Sequence, residues 1–498
     1  MKESNSVGLD TIVELSIRRG ILFPTASIYG SLSGFFDWGP IGVEIRKNVL
    51  DSWWDYFVRS RDDIVGIHGS IITHPRVWEA SGHIDEFIDI LIECTKCKSR
   101  YRADHLLEDY GVRIEQLNID MINKLIKEKN VTCPKCGGDL GEAKPFNLMF
   151  ETFVGPQKDK SSVAYLRPET AQLIFINFKN VMLSARMKIP FGVAQIGKVF
   201  RNEISPRNFI FRVREFEQME IEYFVNPKEL NNCPYFDSIE EYKFMLLPAE
   251  RQGEGSDEAL EIKAADAVEM GYIKYTWHAY WIIESLKWLE SLGINMKNIR
   301  VREHTKSELS HYAVQTFDIE YNFPFLGWKE IVGIANRGDF DLRRHSEYSK
   351  TNMTVIDDHG ERYIPHVIEP SFGLERVVLT IITDSYRVIE GRTVLSLKPK
   401  IAPFKVGVYP LLKRKEFIQK SMEVYSMLKT RFLNVFYDES GSIGKRYARA
   451  DEIGVPLGVT IDHQTLEDNT VTIRFRDTRE QIRVHIDKLI EKIQTLLS

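Results

Sequence analysis

The sequence contains few cysteines and no long apolar stretch. Its 498 residues include 5 cysteines, too few for a framework of disulfide bonds in a chain of this length. No apolar run reaches the roughly eighteen residues that a membrane-spanning helix needs. The N-terminal stretch MKESNSVGLDTIVEL lacks a basic start followed by an apolar core, so it does not predict a secretory signal. We therefore expect a cytoplasmic protein without a membrane partner.

The sequence also lacks a strong excess of either charge. The net charge of −5 does not by itself indicate a nucleic-acid-binding protein, and 43% hydrophobic with 28% charged residues is typical of globular chains. The length is enough for roughly two to four domains. The charge is unevenly placed, because residues 398–498 contain 18 Lys and Arg against 13 Asp and Glu. The basic C-terminal part, with Lys445, Arg446 and Arg449 close together, is a weak indication of an RNA partner.

Four of the five cysteines form two Cys-x-x-Cys pairs, Cys94 with Cys97 and Cys133 with Cys136. A two-residue gap lets both sulfurs of a pair face one ion, and the glycines of CPKCGG permit the tight turn. The pairs predict a structural zinc site, since four sulfurs close the coordination sphere. Buried free thiols or a redox pair are the alternatives. A helical stretch is predicted between the pairs, and Cys233 receives no role.

The central stretch is 199–224, VFRNEISPRNFIFRVREFEQMEIEYF, which predicts a strand, a basic loop and a returning strand. Because alternate strand residues share a face, Arg201 and Glu203 should lie on one face with Val199. In the return strand one face is polar and the other apolar, the two sets being Phe216, Gln218, Glu220 and Glu222 against Met219, Ile221 and Tyr223. The loop arginines suit phosphate through their forked donors. A solvent-exposed hairpin with surface ion pairs is the alternative.

Three further carboxylates lie where a site could use them. Pro168 of RPETAQ predicts a helix start with Glu169 in the first turn. In the strand WKEIVGIA, Glu330 and Val332 should share one face, with Lys329 and Ile331 opposite. Glu369 and Ser371 end another strand on one face, and Arg376 follows in the first turn of a helix. A cation there opposes the helix dipole, so a phosphate partner explains Arg376 better than a structural role does.

These motifs together resemble the class II aminoacyl-tRNA synthetases. GFFDWGPIG and the helix predicted after Pro40 resemble motif 1, FRNE with REFEQME resembles motif 2, and GLER resembles motif 3. RPETAQ and GWKEIVGIANRGDFDLRRH resemble the glycyl-tRNA synthetases in particular. The C-terminal strands and helices resemble the anticodon-binding domain that glycyl, histidyl, prolyl and threonyl enzymes share. The resemblance extends from about residue 8 to the C-terminus.

The resemblance implies an α+β fold, with an antiparallel sheet flanked by helices, a zinc-binding insertion and a C-terminal α/β anticodon-binding domain. The expected parts are a catalytic core with motifs 1, 2 and 3 in residues 1–92, 144–225 and 299–397, a four-cysteine insertion at 93–143, a second insertion at 226–298, and an anticodon-binding domain at 398–498. Motif 1 implies a homodimer. The implied activity is glycine–tRNA ligation with ATP and Mg²⁺, and tRNA(Gly) as partner.

The resemblance also implies the site residues. The catalytic set is Arg201, Glu203 and Arg376. The ATP-binding set is Arg201, Asn202, Glu203, Arg212, Val213, Phe216, Glu330, Ile331 and Arg376, with Glu330 also holding magnesium. The glycine-binding set is Arg102, Glu169, Glu220, Glu369, Pro370 and Ser371.

Three other functions are consistent with parts of the sequence. A prolyl or threonyl synthetase would share the fold, but RPETAQ and EPS favour glycine. A synthetase-like RNA-binding protein without catalysis would have a broken motif, whereas Arg201, Glu203, Glu330 and Arg376 are all present. A zinc-ribbon nucleic-acid-binding protein would explain the cysteines but not the motifs.

Overall fold

The structure is a computed structural model that describes residues 7–108, 110–112, 118–310 and 312–497. Residues 1–6 of the N-terminal stretch and residues 109 and 113–117 of the helical stretch predicted between the cysteine pairs lie outside the described residues. None of the helices within these ranges has both the length and the apolar character needed to cross a bilayer.

The N-terminal third carries short elements. In chain order they are α1 (Leu9–Arg18), β1 (Leu22–Pro24), β2 (Phe36–Trp38), α2 (Pro40–Trp54), β3 (Ile64–Gly66), β4 (Ile72–Thr73), α3 (Pro75–Ser81), α4 (His83–Glu86), β5 (Ile88–Glu93), β6 (Arg100–Arg102), α5 (Ala103–Glu108), α6 (Ile119–Glu128), β7 (Lys144–Asn147), β8 (Phe150–Phe153) and β9 (Val163–Leu166). Helix α2 begins at the proline that predicted it, because the fixed φ of proline suits the first helical position.

The central part carries the long strands. Its elements are α7 (Ala171–Ser184), β10 (Phe191–Phe200), β11 (Glu215–Val225), β12 (Lys243–Leu247), α8 (Ala249–Gly253), β13 (Leu260–Lys263), α9 (Ala264–Glu269), α10 (Thr276–Ser291), β14 (Ile299–Glu303), β15 (Gln315–Phe323), β16 (Gly327–Gly338), α11 (Phe340–Ser349), β17 (Val355–Ile356), β18 (Arg362–Tyr363), β19 (His366–Gly373), α12 (Leu374–Ser385), β20 (Tyr386–Ile389) and β21 (Arg392–Leu395).

Nine strands form one sheet in the order β13-β12-β14-β15-β16-β19-β11-β10-β3. The neighbours pair antiparallel except β10 with β3 and β12 with β14, which are parallel. The α+β class and the largely antiparallel sheet are therefore confirmed. Strands β12 and β13 come from the segment 226–298, so this predicted insertion extends the central sheet at one edge.

One face of the sheet packs on helices α2, α10 and α12. On α2, the side chains of Val49 and Trp53 are fully buried. The ring of Trp53 lies 6.0 Å from that of Phe372 on β19, and Trp288 of α10 lies 5.2 Å from the same ring. Each buried aromatic side chain stabilises the fold by about 1.5–3 kcal/mol. The predicted apolar face of β11, represented by Met219, belongs to this core, which leaves the opposite face of the sheet for polar groups.

The four cysteines lie in a small unit with its own core. Strands β6, β5 and β7 form a three-stranded sheet. The apolar side chains of α5 and α6 pack against this sheet in a separate cluster that includes Ile92, Leu106 and Ile122. The unit thus has a hydrophobic core of its own, separate from that of the main sheet.

The C-terminal part is an α/β domain, made of β22 (Val406–Pro410), α13 (Lys415–Lys429), β23 (Val435–Tyr437), α14 (Ile443–Glu452), β24 (Leu457–Ile461), α15 (His463–Asp468), β25 (Thr470–Phe475), β26 (Gln481–His485) and α16 (Leu489–Leu497). Strand β22 pairs parallel with β23 and β24. The domain has a separate apolar core, and Glu452 on α14 pairs with Arg19 just after α1.

Candidate active site

A cavity of about 240 Å³ opens on the polar face of the central sheet. It is enclosed by the motif 2 hairpin, by β15, β16 and β19, and by the start of α12. Its lining residues are Glu169, Arg201, Glu203, Ile210, Phe211, Arg212, Val213, Phe216, Gln218, His304, Ser310, Tyr312, Thr316, Asp318, Glu330, Gly333, Ala335, Glu369, Ser371, Gly373, Glu375 and Arg376. Motif 2, motif 3 and the strand that contains Glu330 therefore meet in one space.

Most of the site residues that the sequence predicts line this cavity, and five do not. Among the described residues, Arg102, Asn202, Glu220, Ile331 and Pro370 are not part of the lining. Glu220 is buried directly beneath it. The guanidinium of Arg102 pairs instead with Asp89 and Asp104 in the cysteine-containing unit.

Two helix and strand limits differ from the prediction. Strand β10 ends at Phe200, so Arg201 and Glu203 follow the strand instead of alternating within it with Val199. Helix α7 begins at Ala171, so the prediction of Glu169 in a first helical turn is wrong. Glu169, Arg201 and Glu203 thus all lie in irregular backbone, outside the neighbouring helix and strand, where they line the cavity.

The facing of residues on β16 also differs, because a bulge interrupts the strand. Glu330 pairs with Glu320, but Val332 pairs with Ile319, so one residue of β16 is unmatched between them. An extra residue reverses the alternation. Val332 therefore points into the core while Glu330 and Gly333 both face the cavity. The prediction that Glu330 and Val332 share a face is wrong, although the cavity-facing position of Glu330 is confirmed.

At one end of the cavity, motif 2 brings a flat aromatic ring beside cations and a carboxylate. The guanidinium carbon of Arg201 lies 5.3 Å from the centre of the Phe216 ring. Arg201 Nε donates to the carbonyl oxygen of Pro168 over 3.1 Å. Arg212 Nε donates to Glu203 Oε2 over 2.8 Å, and Glu203 is buried. This end offers a surface for a planar ring and forked donors for an anion.

At the start of α12, the cavity is lined by the cation Arg376 and by the carboxylates of Glu330 and Asp318. Arg376 Nη1 lies 2.8 Å from Glu330 Oε2. Desolvation alone would raise the pKa of Glu330, but the Arg376 guanidinium holds it below its usual range. Nearby, His304 Nε2 lies 2.8 Å from Asp318 Oδ2. Burial opposes protonation of this imidazole, yet the carboxylate of Asp318 raises the pKa of His304. This part of the cavity therefore contains both cationic and anionic side chains, as an Mg²⁺–polyphosphate site requires.

The other end of the cavity is a buried group of acids around one arginine. Arg337 is 1% exposed. Its Nε donates to Asp341 Oδ2 over 2.7 Å, and its Nη1 donates to Glu369. Burial alone would raise the pKa of Glu169, but His83, whose Nε2 lies 3.3 Å away, and Arg337 hold it well below its usual range. A carboxylate that stays ionised while buried can bind an ammonium group.

Sequence reasoning missed Arg337 and His83. The motif ANRGDFD contains the only available signal, since Arg337 and Asp341 are four residues apart. That spacing alone is typical of an exposed helical ion pair. Tyr312 lies over the same guanidinium, 3.9 Å from the ring centre. The role of this arginine as the counter-ion of Glu369 becomes visible only when β16 and β19 lie side by side.

The four cysteine sulfurs form a compact group. Cys94 Sγ and Cys136 Sγ are 3.6 Å apart, as are Cys97 Sγ and Cys133 Sγ, and all four sulfurs lie within 4.8 Å of one another. Four thiolates at about 2.3 Å from a zinc ion in a tetrahedron would lie about 3.8 Å apart. The arrangement fits a closed four-sulfur metal site.

The basic residues singled out in the C-terminal domain behave differently from one another. Arg446 is 1% exposed and donates to backbone carbonyl oxygens, including that of Gly441 over 2.7 Å. Arg449 pairs with Asp438. Lys445 alone of the three is exposed. Arg446 is therefore a structural cation, and the interpretation of all three as a contact surface for RNA is wrong for this residue.

Comparison with known proteins connects these features. Residues 152–249 match the family described as tRNA synthetase class II core domain (G, H, P, S and T), and residues 405–496 match the anticodon binding domain. The chain is 45% identical to the glycine--tRNA ligase of Caldanaerobacter subterraneus subsp. tengcongensis, with 99% of each chain covered. It is 44% identical to that of Thermobifida fusca, over 98% of this chain and 97% of the relative, and 46% identical to that of Clostridium tetani, over 97% of both. The chain belongs to the glycine–tRNA ligase family.

The matched regions correspond to the structural units described above. The class II core match contains the motif 2 hairpin that forms the Arg201 end of the cavity, and the anticodon-binding match coincides with the separate C-terminal core. The relatives are aligned along nearly their whole length, so the cysteine-containing unit lies within the shared span. The resemblance to glycyl-tRNA synthetases that the sequence motifs indicated is confirmed.

Proposed function

We propose that the protein is a glycine–tRNA ligase, which activates glycine with ATP and transfers the glycyl group to the 3′ end of tRNA(Gly). The observation that carries the proposal is the convergence of two ends in one cavity. Arg201, Phe216 and Arg376 form an end suited to a nucleotide, and Glu169 and Glu369 form an end suited to an ammonium group. The near-complete alignment with glycine–tRNA ligases supports the assignment.

In the first step, a carboxylate oxygen of glycine attacks the α-phosphorus of ATP. The new oxygen–phosphorus bond forms as the bond to the bridging oxygen breaks, and pyrophosphate leaves. The protein supplies position and charge and forms no covalent bond. Arg201 would hold the α-phosphate and the glycine carboxylate. Phe216 would stack on adenine, and Glu203 would accept a hydrogen bond from the adenine amino group.

The remaining phosphates would be held by the cations at the mouth. Arg376 would bind the γ-phosphate, and Arg212 would lie beside the phosphates. The carboxylate of Glu330, which is 44% exposed on the cavity side, would hold Mg²⁺. The ion bound with ATP neutralises charge on the phosphate oxygens. In the second step, a ribose hydroxyl at the 3′ end of the tRNA attacks the glycyl carbonyl carbon, and AMP leaves.

Selection of glycine would act by exclusion. Glu169, Glu220 and Glu369 would surround the ammonium group, and Ser371 would crowd the space beside the Cα atom. Every competing amino acid is larger than glycine, so a site already filled by polar side chains can exclude it. A larger side chain would clash or leave a buried carboxylate without its partner, which is costly.

The remaining parts of the protein would not take part in the reaction itself. Cys94, Cys97, Cys133 and Cys136 would hold a structural zinc ion that stabilises the insertion. The C-terminal domain would bind the anticodon, and two chains would associate through motif 1. A cytoplasmic location agrees with this role.

The decisive experiment is ATP–pyrophosphate exchange with Mg²⁺, run separately with each of the twenty amino acids and without tRNA. Exchange with glycine alone is expected. Exchange with another amino acid would retain the fold and overturn the assignment of the acidic end. No exchange with any amino acid, with tRNA present as well as absent, would favour a binding protein without catalysis.

A further inference from the structure

Glu222 lies on β11 two residues beyond Glu220, deeper than the cavity lining. Its side chain is fully buried. Within the part of the chain that the structure describes, neither of its carboxyl oxygens has a hydrogen-bond partner. An ionised carboxylate in that position would lose its hydration without receiving a donor, which is strongly unfavourable. A neutral carboxylic acid needs only one acceptor for its O–H group.

Acceptors are available next to it. One carboxyl oxygen each of Glu220, Glu222 and Glu369 lie within 4.8 Å of one another. The register explains the grouping, because Glu220 pairs with Ser371 and Tyr223 pairs with Ile368. Glu222 therefore stands opposite Glu369 on the same face of the sheet. Under the proposed function, Glu220 and Glu369 of this group hold the ammonium group of glycine.

The hydrogen bonds decide which of the three acids carries a proton. Glu369 receives the guanidinium of Arg337, and Glu220 receives the hydroxyl of Thr170. Both carboxylates thus have donors that stabilise their ionised forms. Glu222 has none, so the proton that keeps three clustered carboxyl groups from full ionisation belongs on Glu222.

Burial and mutual repulsion raise the pKa values of all three acids, and hydrogen-bond donors oppose the shift only at Glu220 and Glu369. Burial raises the pKa of Glu222 well above its usual range, and the carboxylates of Glu369, Glu220 and Asp341 raise it further. Arg337 is the cation that opposes this shift, but its guanidinium already bonds Glu369 and Asp341. The single positive charge of Arg337 therefore cannot also neutralise an ionised Glu222.

We propose that Glu222 is a positioning residue of the glycine subsite, a neutral carboxylic acid that donates its O–H group to the Glu220–Glu369 pair from behind. This inference rests on the proposed function, in which Glu220 and Glu369 hold the ammonium group. The proton lets the two carboxylates stay close together while both remain ionised toward the substrate. Glu222 does not touch glycine and acts through these two side chains.

The test compares Glu222→Gln with Glu222→Ala in glycine-dependent ATP–pyrophosphate exchange. The glutamine amide is neutral, nearly isosteric and can donate to the same acceptors. We expect it to rescue the glycine KM to within about threefold of the wild type. The alanine variant removes both the donor and the volume, so its glycine KM should rise by about tenfold or more while the ATP KM changes by less than about twofold.

Two exchange results would overturn the inference. A glutamine variant as impaired as the alanine variant would mean that the subsite needs an ionised Glu222. An alanine variant with the wild-type glycine KM would mean that Glu222 positions nothing. A wild-type protein without glycine exchange would instead refute the proposed function, and the two failures are therefore distinguishable.

The protonation state of Glu222 can also be measured independently of enzymatic activity. Infrared difference spectra of the full-length wild type and the Glu222→Gln variant at neutral pH should contain a protonated-carboxyl carbonyl band that only the wild type has, and that shifts in D₂O. Its absence would overturn the neutral acid whatever the exchange assay gives.

Discussion

Arg376 and Glu330 bind each other across the mouth of the cavity, with 2.8 Å between Nη1 of the arginine and Oε2 of the glutamate. The same arginine nitrogen also lies 3.2 Å from the carbonyl oxygen of Glu330. The two groups that we assign to the γ-phosphate and to Mg²⁺ are therefore already in contact. An entering Mg²⁺–ATP would replace this pair with one bond from each residue, so that neither charge is left unpaired.

The first prediction follows from this pair. Glu330→Gln should lower kcat/KM for ATP in the exchange assay by about 10²-fold, as removal of one transition-state electrostatic group does, and should raise the Mg²⁺ concentration that gives half-maximal rate. Lys329→Gln is the matched control, because Lys329 is exposed on the neighbouring position of the same strand. An unchanged Mg²⁺ dependence in Glu330→Gln would refute the metal assignment.

The second prediction concerns the cysteine group. Cys97→Ser should reduce the bound zinc from about one ion per chain to a small fraction, because a structural zinc site needs all four ligands. The thermal midpoint should fall, since metal binding contributes folding free energy. Metal analysis and a thermal scan measure these effects. Cys233→Ser is the control, because Cys233 is buried in the main core away from the group. Equal zinc content in both variants would exclude the site.

The cavity itself could be predicted from sequence because its parts lie in contiguous motifs. The alternation of β11 places Phe216 and Gln218 on the cavity face, and β19 presents Glu369 and Ser371 together, as expected from a two-residue period. Helix α12 starts after Gly373 with Arg376 in its first turn. In regular strands and helices, the periodicity of the sequence therefore predicts which side chains face the cavity.

The rest could not be predicted, since it depends on irregular backbone or on distant partners. The bulge beside Ile331 shifts the facing of β16 by one residue, and nothing in WKEIVGIA marks it. Arg337 has an ordinary local sequence, and its burial depends on Glu369 from another strand. The position of Glu222 behind Glu369 likewise requires the register between β11 and β19.

The third prediction is a pH dependence of stability that arises from Glu375. Burial raises the pKa of this carboxyl to about 7. The backbone N–H of Glu217 donates to its Oε2 over 2.9 Å. In the unfolded chain the group titrates near 4.3, so between these pH values the native state binds more protons. Its contribution to stability is therefore full below about pH 4.3 and is lost as the pH rises through about 7, to a total of about 4 kcal/mol.

Glu375→Gln removes this titration and keeps an acceptor for the Glu217 N–H. The thermal midpoint of the variant, relative to the wild type, should rise between pH 5 and pH 8. Glu14→Gln, at an exposed position of α1, should show no such trend. A midpoint difference for Glu375→Gln that stays constant with pH would contradict the raised pKa.

The last prediction tests exclusion in the glycine subsite. Ser371 lines the cavity beside Glu369, and its register partner on β11 is Glu220. Ser371→Gly should make room for one methyl group beside the substrate Cα atom. A methylene-sized difference in a site changes discrimination by about 1–3 kcal/mol, so kcat/KM for alanine relative to glycine in the exchange assay should rise about tenfold or more. Ser371→Thr is the opposite control, because its added methyl group should lower kcat/KM for both amino acids. Unchanged discrimination in Ser371→Gly would show that other side chains exclude alanine. Glu369, which is bound by Arg337, would then be the next residue to substitute.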